Sequence, residues 1–155
     1  RRGMFVTVAY GEFNTKKRTI TLVNGGHNPP VLWSKEFGLA QFIDIRGMAV
    51  GLTDSSAFEG TIKEELIELQ DQDMLLLYTD GVVEAKDPDD EEYGEKRMVQ
   101  VINAHGGKPT SVVIDELVKS IRQFRRNAPQ SDDITIFALR SIPEGEDELS
   151  ESDEE

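Results

Sequence analysis

The sequence predicts an α+β fold built around a largely antiparallel β-sheet. Strand-like patterns fill most of the first eighty residues, two segments with helical periodicity follow, and one more strand pattern comes after them. Because strands and helices are grouped in this way and do not alternate, the order argues against a regular βαβ dinucleotide-binding fold.

Two strands joined by a short polar turn open the pattern. Residues 4–13 are rich in β-branched and aromatic side chains, and residues 14–17 are polar. In residues 18–24, Ile20 and Leu22 alternate with Thr and Val, which predicts a strand that buries one face. These three segments together predict an antiparallel hairpin.

The middle of the chain contains short strands separated by Gly- and Pro-rich loops. The run GGHNPP at residues 25–30 is a loop that no helix could cross. Residues 61–69 remain ambiguous, since Glu64-Glu65 favour a helix whereas the alternating apolar residues also suit a strand. The remaining expectations are strands at 31–33 and 41–45 around a turn at 35–38, a loop at 47–60, and a strand at 73–79 that is buried on both faces and stopped by Asp80-Gly81.

Two helices and a last strand complete the predicted fold. Residues 94–105 fit a helix that ends at a Gly-Gly pair. Residues 110–126 give the clearest helical pattern, with Thr110 or Ser111 as the expected cap. Residues 134–139 predict the final strand, and an acidic loop is expected at residues 87–92.

Composition excludes several classes of protein. The chain has 155 residues with Lys+Arg 17 and Asp+Glu 30, and it has no cysteine, which excludes disulfides, thiolate nucleophiles, zinc ribbons and iron–sulfur clusters. No apolar run approaches the roughly 20 residues of a membrane span, and the short basic clusters do not favour nucleic-acid binding.

Residues 141–155 hold eight acids and no base, and we expect a disordered acidic tail there. The start, Arg1-Arg2-Gly3, suggests that the chain begins inside a longer protein.

Three carboxylates form the main candidate site. Asp80 ends the buried strand, whereas Asp132 and Asp133 open the last one. If these strands are adjacent and antiparallel, the carboxylates converge at one edge of the sheet, where they would need a cation such as Mg²⁺ or Mn²⁺. The alternative is that Asp80-Gly81 is only a turn and Asp132-Asp133 only a solvated strand boundary.

Two further residues lie near these motifs. His27 could donate a proton to a leaving group, although a role in fixing its loop through hydrogen bonds is the favoured interpretation. Glu84 follows Asp80 by four residues and either positions water or caps a turn. His105 is expected at a helix end.

Several motifs together resemble a known family. They are Met4-Phe5-Val6-Thr7, NGGHNPP at 24–30, Gly47 with Gly51-Leu52, Leu77–Ala85 (LYTDGVVEA), Tyr93-Gly94 and Asp132-Asp133-Ile134-Thr135. In this order they closely resemble the C-terminal part of the SpoIIE-type serine/threonine phosphatase domain, within the metal-dependent type 2C superfamily. Gly25 departs from the family's usual Ala, and the upstream family segment that supplies further metal-binding carboxylates is not in this chain.

The resemblance implies an antiparallel β-sandwich flanked by helices, with residues 1–140 forming the C-terminal portion of the phosphatase domain. It implies that Asp80 and Asp132 are metal ligands, with Asp133 as the second candidate of its pair, and that the complete domain binds two Mn²⁺ or Mg²⁺ ions.

The implied activity is hydrolysis of phosphoserine or phosphothreonine on a regulatory protein of the anti-anti-sigma type. An upstream sensor or regulatory domain is expected, with no nucleic-acid or membrane contact by this segment. The implied location is the cytoplasm, either as a free protein or as the cytoplasmic part of a membrane-anchored one. A non-catalytic module that binds phosphoproteins is the alternative, and the fragment alone is expected to have weak activity or none.

Overall fold

The structure, a computed structural model, describes residues 4–143. Its elements in chain order are β1 (Val8–Asn14), β2 (Thr19–Gly25), β3 (Val31–Ser34), β4 (Leu39–Phe42), α1 (Ser55–Glu59), β5 (Glu64–Glu68), β6 (Met74–Tyr78), α2 (Asp80–Val83), α3 (Gly94–His105), α4 (Thr110–Arg125) and β7 (Ile136–Arg140). They form a three-stranded sheet of order β1-β2-β5 and a four-stranded sheet of order β4-β3-β6-β7. Every pairing between these strands is antiparallel, so the predicted α+β class is confirmed.

The first sheet contains the predicted hairpin and settles the ambiguous segment. β1 and β2 pair across the polar turn, and β5 joins the other edge of β2 with Ile20 opposite Ile67. Ile20, Leu22 and Ile67 are buried on the inner face. Residues 64–68 are therefore a strand, because pairing with β2 and burial of Ile67 outweigh the local helical preference of Glu64-Glu65.

The second sheet lies between the first sheet and the helices. One face of β6 presents Leu75, which packs in one cluster with Ile20, Leu22 and Ile67 of the first sheet. The opposite face packs against α3 and α4 through Met74, Leu76 and Tyr78. β6 is thus buried on both faces, as its continuous apolar run predicts.

Two local predictions were wrong, and the strand expected at 41–45 instead spans Leu39–Phe42. Residues 47–60 were expected to be a loop, but they contain the short helix α1, where the Asp54 side chain accepts a 3.0 Å hydrogen bond from the Ala57 N–H. Thr110 and Ser111 do not cap α4, because Pro109 occupies the N-cap position and its carbonyl already accepts from the Val113 N–H at 3.2 Å. Thr110 therefore lies inside the first turn, where its hydroxyl cannot act as a cap.

The C-terminal end of the described chain stays attached to the sheet. After β7, the backbone of buried Ser141 exchanges hydrogen bonds with Gln72 and Asp73, at 2.7 and 2.9 Å. The predicted acidic tail at 141–155 lies outside the described residues from position 144 onward and stays a prediction. Within residues 4–143, every helix is too short or too polar to span a bilayer.

Candidate metal centre

Asp80 occupies a sharp change of direction at the end of β6. The strand ends at Tyr78, Thr79 follows with an extended backbone, and the short helix α2 begins at Asp80. The Asp80 side chain is exposed, and one of its oxygens accepts a 2.9 Å hydrogen bond from the Gly81 N–H. This bond holds one carboxylate oxygen at the first turn of α2.

The segment that contains Asp132 and Asp133 meets this corner, as the strand order predicts. β6 and β7 are adjacent and antiparallel, with Tyr78 opposite Ile136. The pairing continues beyond the strands, because the Thr79 N–H donates to the Thr135 carbonyl at 3.1 Å. The prediction that the end of one strand meets the start of the other is confirmed.

The Thr79 hydroxyl joins the two segments. It donates to the carbonyl of Asp133 at 2.9 Å and accepts from the N–H of Thr135 at 2.9 Å. Gly81 allows this close approach, since a side-chain carbon at Gly81 would overlap the Asp133 carbonyl oxygen. The backbone that carries Asp80 is therefore held directly against the backbone that carries Asp133.

The Asp132 loop is also held from the side of α4. Arg125 donates to the Ala128 carbonyl at 2.9 Å and to Gln130 Oε1 at 3.4 Å, and Gln130 Nε2 donates to the Asp132 carbonyl at 2.8 Å. Asp132 Oδ1 accepts from the Asp133 N–H at 2.7 Å. Asp132 and Asp133 are both exposed, so neither residue is buried in the core.

The donor set fits a hard divalent cation but is incomplete by itself. Exposed carboxylate oxygens are the ligands that Mg²⁺ and Mn²⁺ prefer. Among the residues that the structure describes, however, no three His, Asp or Glu side chains form a group that could hold a metal ion. The assignment of Asp80, Asp132 and Asp133 as ligands therefore stays a prediction.

The Gly-rich loop is fixed by a residue that the sequence argument passed over. Buried Asn24 donates from Nδ2 to the His27 carbonyl at 2.9 Å and accepts from the His27 N–H at 2.7 Å. The His27 ring contacts the Thr7 hydroxyl instead, at 3.4 Å. The expected loop-fixing bonds thus involve the backbone of His27 and the side chain of Asn24, because an amide can donate and accept at once.

Glu84 and His105 both lie at helix ends. The Glu84 N–H donates to the Asp80 carbonyl at 2.9 Å and ends α2, and His105 is the last residue of α3, as expected. Sequence reasoning missed Thr79, because only the fold brings its partners Asp133 and Thr135 near, and it missed Gln130, which bonds the Asp132 carbonyl two residues along the chain. It also missed buried Asp87, which joins the acidic loop to Arg126 at the end of α4 by a 3.0 Å ion pair.

Comparisons with solved structures identify the fold as that of PP2C phosphatase domains. The SiaA-PP2C domain of Pseudomonas aeruginosa superposes with a TM-score of 0.70 at 17% identity, covering 85% of this chain and 50% of that one. The phosphatase domain of SpoIIE from Bacillus subtilis, presoaked with Mn, gives a TM-score of 0.61 at 14% identity and covers 88% of this chain and 56% of that one. RsbX in complex with magnesium gives a TM-score of 0.54 at 18% identity and covers 86% of this chain and 55% of that one.

The chain itself belongs to the SpoIIE family, because the model described as Stage II sporulation protein E (SpoIIE) matches residues 1–141. Protein IcfG of Synechocystis sp. is 29% identical over 136 residues, which cover 88% of this chain and 20% of the relative. Phosphoserine phosphatase RsbU of Bacillus subtilis is 24% identical over 144 residues, 88% of this chain and 39% of the relative. The chain therefore spans well under half of either relative, and a resemblance to SpoIIE-type phosphatases is confirmed.

Proposed function

We propose that the protein containing this chain hydrolyses phosphoserine or phosphothreonine on a regulatory protein, using Mn²⁺ or Mg²⁺ held in part by Asp80 and Asp132. The observation that carries the proposal is the contact between the Asp80 corner and the Asp132-Asp133 segment in a member of the SpoIIE family. Metal-bearing relatives of the same fold support the choice of cation.

Each residue of this site would have a distinct task. Asp80 and Asp132 contribute oxygen ligands from two neighbouring strand ends, while Thr79 and Gly81 hold those ends together. Divalent ions bound there would supply an activated water and neutralise charge on the phosphoryl group. A covalent nucleophile is then unnecessary, which agrees with a chain that has no cysteine.

The proposed substrate is a small phosphorylated regulator of the anti-anti-sigma type, processed in the cytoplasm. The relatives support a partner-switching context, since one is named phosphoserine phosphatase RsbU and one solved structure combines RsbU and RsbW domains in Rv1364c from Mycobacterium tuberculosis. An upstream sensor or regulatory domain in the same polypeptide would control the activity.

The direct test compares carboxylate and carboxamide variants. Asp80→Asn and Asp132→Asn should each abolish Mn²⁺-dependent release of phosphate from a phosphoserine protein while leaving the unfolding temperature close to that of the wild type. Asp44→Asn is the matched control, because Asp44 is an exposed residue whose carboxylate, within residues 4–143, pairs only with nearby Arg46. Wild-type turnover by either site variant would refute the ligand assignment, and tight binding of phosphoprotein without turnover would indicate a non-catalytic module.

A second test concerns the ligand set. Because the described residues do not assemble a three-ligand group, the 155-residue chain alone should bind Mn²⁺ weakly and show negligible hydrolysis. A protein extended N-terminally to the span of its relatives should recover both properties. Equal rates for the short and the extended proteins would show that the site proposed here is wrong.

A further inference from the structure

A cavity opens beside the Asp132 loop, between α4 and the start of β7. Its volume is about 290 Å³. Val118, Ile121 and Ile134 form an apolar floor, and the polar wall consists of Arg122, Arg125 and Gln130.

The polar wall of this cavity is cationic in an acidic protein. The formal net charge of the chain is −13, yet two guanidinium groups line this one depression. Within the described part of the chain, the Arg122 side chain has no hydrogen bond or ion pair, and the Nε of Arg125 is buried without a partner. A buried unpaired donor such as the Arg125 Nε is costly, and the exposed Arg122 guanidinium can form a charge-assisted hydrogen bond, so the cavity wall favours an anionic group.

The cavity shares a lining residue with the loop that carries Asp132. Gln130 lines the cavity and also donates its 2.8 Å hydrogen bond to the Asp132 carbonyl. Arg125, on the same wall, holds the Ala128 carbonyl of that loop at 2.9 Å. A segment seated in the cavity would therefore lie against the loop that presents Asp132.

We propose that this cavity docks an acidic segment of the phosphoprotein substrate, with carboxylates on Arg122 and Arg125 and apolar side-chain stems on the floor. The proposal rests on the proposed phosphatase function and adds a substrate feature to it, namely acidic residues near the phosphorylated serine. A partner is favoured over the chain's own acidic C-terminal residues, because β7 runs away from the cavity and ends with Arg140 opposite Met74, at the far end of the ladder from Asp80.

The test uses the protein extended to the full family domain and two phosphoserine peptides that differ only in their flanking residues, Glu in one and Gln in the other. Arg122→Gln should raise KM for the Glu peptide about threefold to tenfold, as expected for loss of a charged contact, and leave kcat unchanged. It should leave KM for the Gln peptide and for p-nitrophenyl phosphate unchanged.

Lys119→Gln is the matched control, since Lys119 lies on the same helix and pairs with Glu116 outside the cavity. It should preserve the preference for the Glu peptide. A preference that survives Arg122→Gln, or that Lys119→Gln removes equally, would overturn the docking proposal.

Binding of the unphosphorylated Glu peptide, measured by fluorescence anisotropy, separates the two levels of the argument. If no phosphoserine substrate is hydrolysed but this peptide binds in an Arg122-dependent manner, the proposed function fails and the anion-binding cavity stands. If all substrates are hydrolysed with equal KM, the proposed function stands and the docking site fails.

Discussion

Replacement of Gly81 by Ala tests whether close contact between the two acidic segments maintains the site. A β-carbon at this position would overlap the Asp133 carbonyl oxygen and lie 3.0 Å from its carbonyl carbon, whereas ordinary contact begins at 3.4 Å. Both atoms belong to the backbone, so no flexible side chain can move aside. The Asp133 carbonyl oxygen must therefore move by about 1 Å to restore ordinary contact.

The expected effect is larger on activity than on stability. Overpacking of this kind costs typically about 1–3 kcal/mol, and intrinsic helix propensity, which favours Ala over Gly by about 1 kcal/mol, offsets part of it. Displacement of a ligand-bearing segment by about 1 Å can reduce turnover by about a hundredfold. We therefore expect a free energy of unfolding lower by about 1–2 kcal/mol and a hundredfold loss of Mn²⁺-dependent hydrolysis.

Urea unfolding and phosphate release from a phosphoserine protein measure the two effects in the extended protein. Gly60→Ala is the matched control, because the nearest atom to a β-carbon there is the Ala57 carbonyl oxygen, at 3.6 Å. That variant should keep full activity and equal or slightly higher stability. If Gly81→Ala behaves like Gly60→Ala in both assays, the close packing of the two segments does not maintain the site.

Three further substitutions test the neighbouring contacts. Thr79→Val keeps the shape but removes both hydroxyl hydrogen bonds, so it should cost about 1–2 kcal/mol and weaken Mn²⁺ binding, whereas Thr79→Ser should restore both. Tyr78→Phe should leave the free energy of unfolding at pH 7 unchanged or higher, because the buried hydroxyl has no partner within residues 4–143. Burial and the charge of Glu95 raise the pKa of Tyr78 to about 12. The contribution of Tyr78 to the free energy of unfolding of the wild type should therefore be constant below about pH 10 and should fall as the pH rises toward 12, because the unfolded chain ionises Tyr78 more readily. The Phe variant should not show this fall. Burial opposes ionisation of Asp87, but backbone hydrogen bonds and Arg126 outweigh this effect and lower the pKa of the carboxyl group. Asp87→Asn should therefore lower the free energy of unfolding at pH 7, measured by urea titration. The difference from the wild type should vanish as the pH falls through this lowered pKa, below about 4.

Local patterns predicted those parts of the fold that depend on local chemistry. The helix at 94–105 was placed at its observed ends, because its apolar spacing and the following Gly-Gly pair are encoded side by side. The helix α1 was missed because five residues produce too little periodicity, although Asp54 provides a recognisable cap. The secondary structure of residues 64–68 depended on pairing with β2, which lies about forty residues earlier in the chain. Such a pairing cannot be predicted from the segment itself.

The sequence also indicated which aspartates to consider, but only the contacts distinguish their roles. Asp87 accepts backbone hydrogen bonds from Asp89 and Glu91 and forms an ion pair with Arg126, so its charge is already balanced inside the protein. Asp80 and Asp132 differ, because within residues 4–143 the carboxylate of each accepts only the N–H of the next residue and forms no ion pair with Lys or Arg. The fold therefore positions their backbones through Thr79 and Gly81 while leaving both negative charges exposed. Exposed carboxylates that have no counter-charge within the described residues remain available to bind a hard cation, which is why these two, and not the better-connected Asp87, are the proposed ligands.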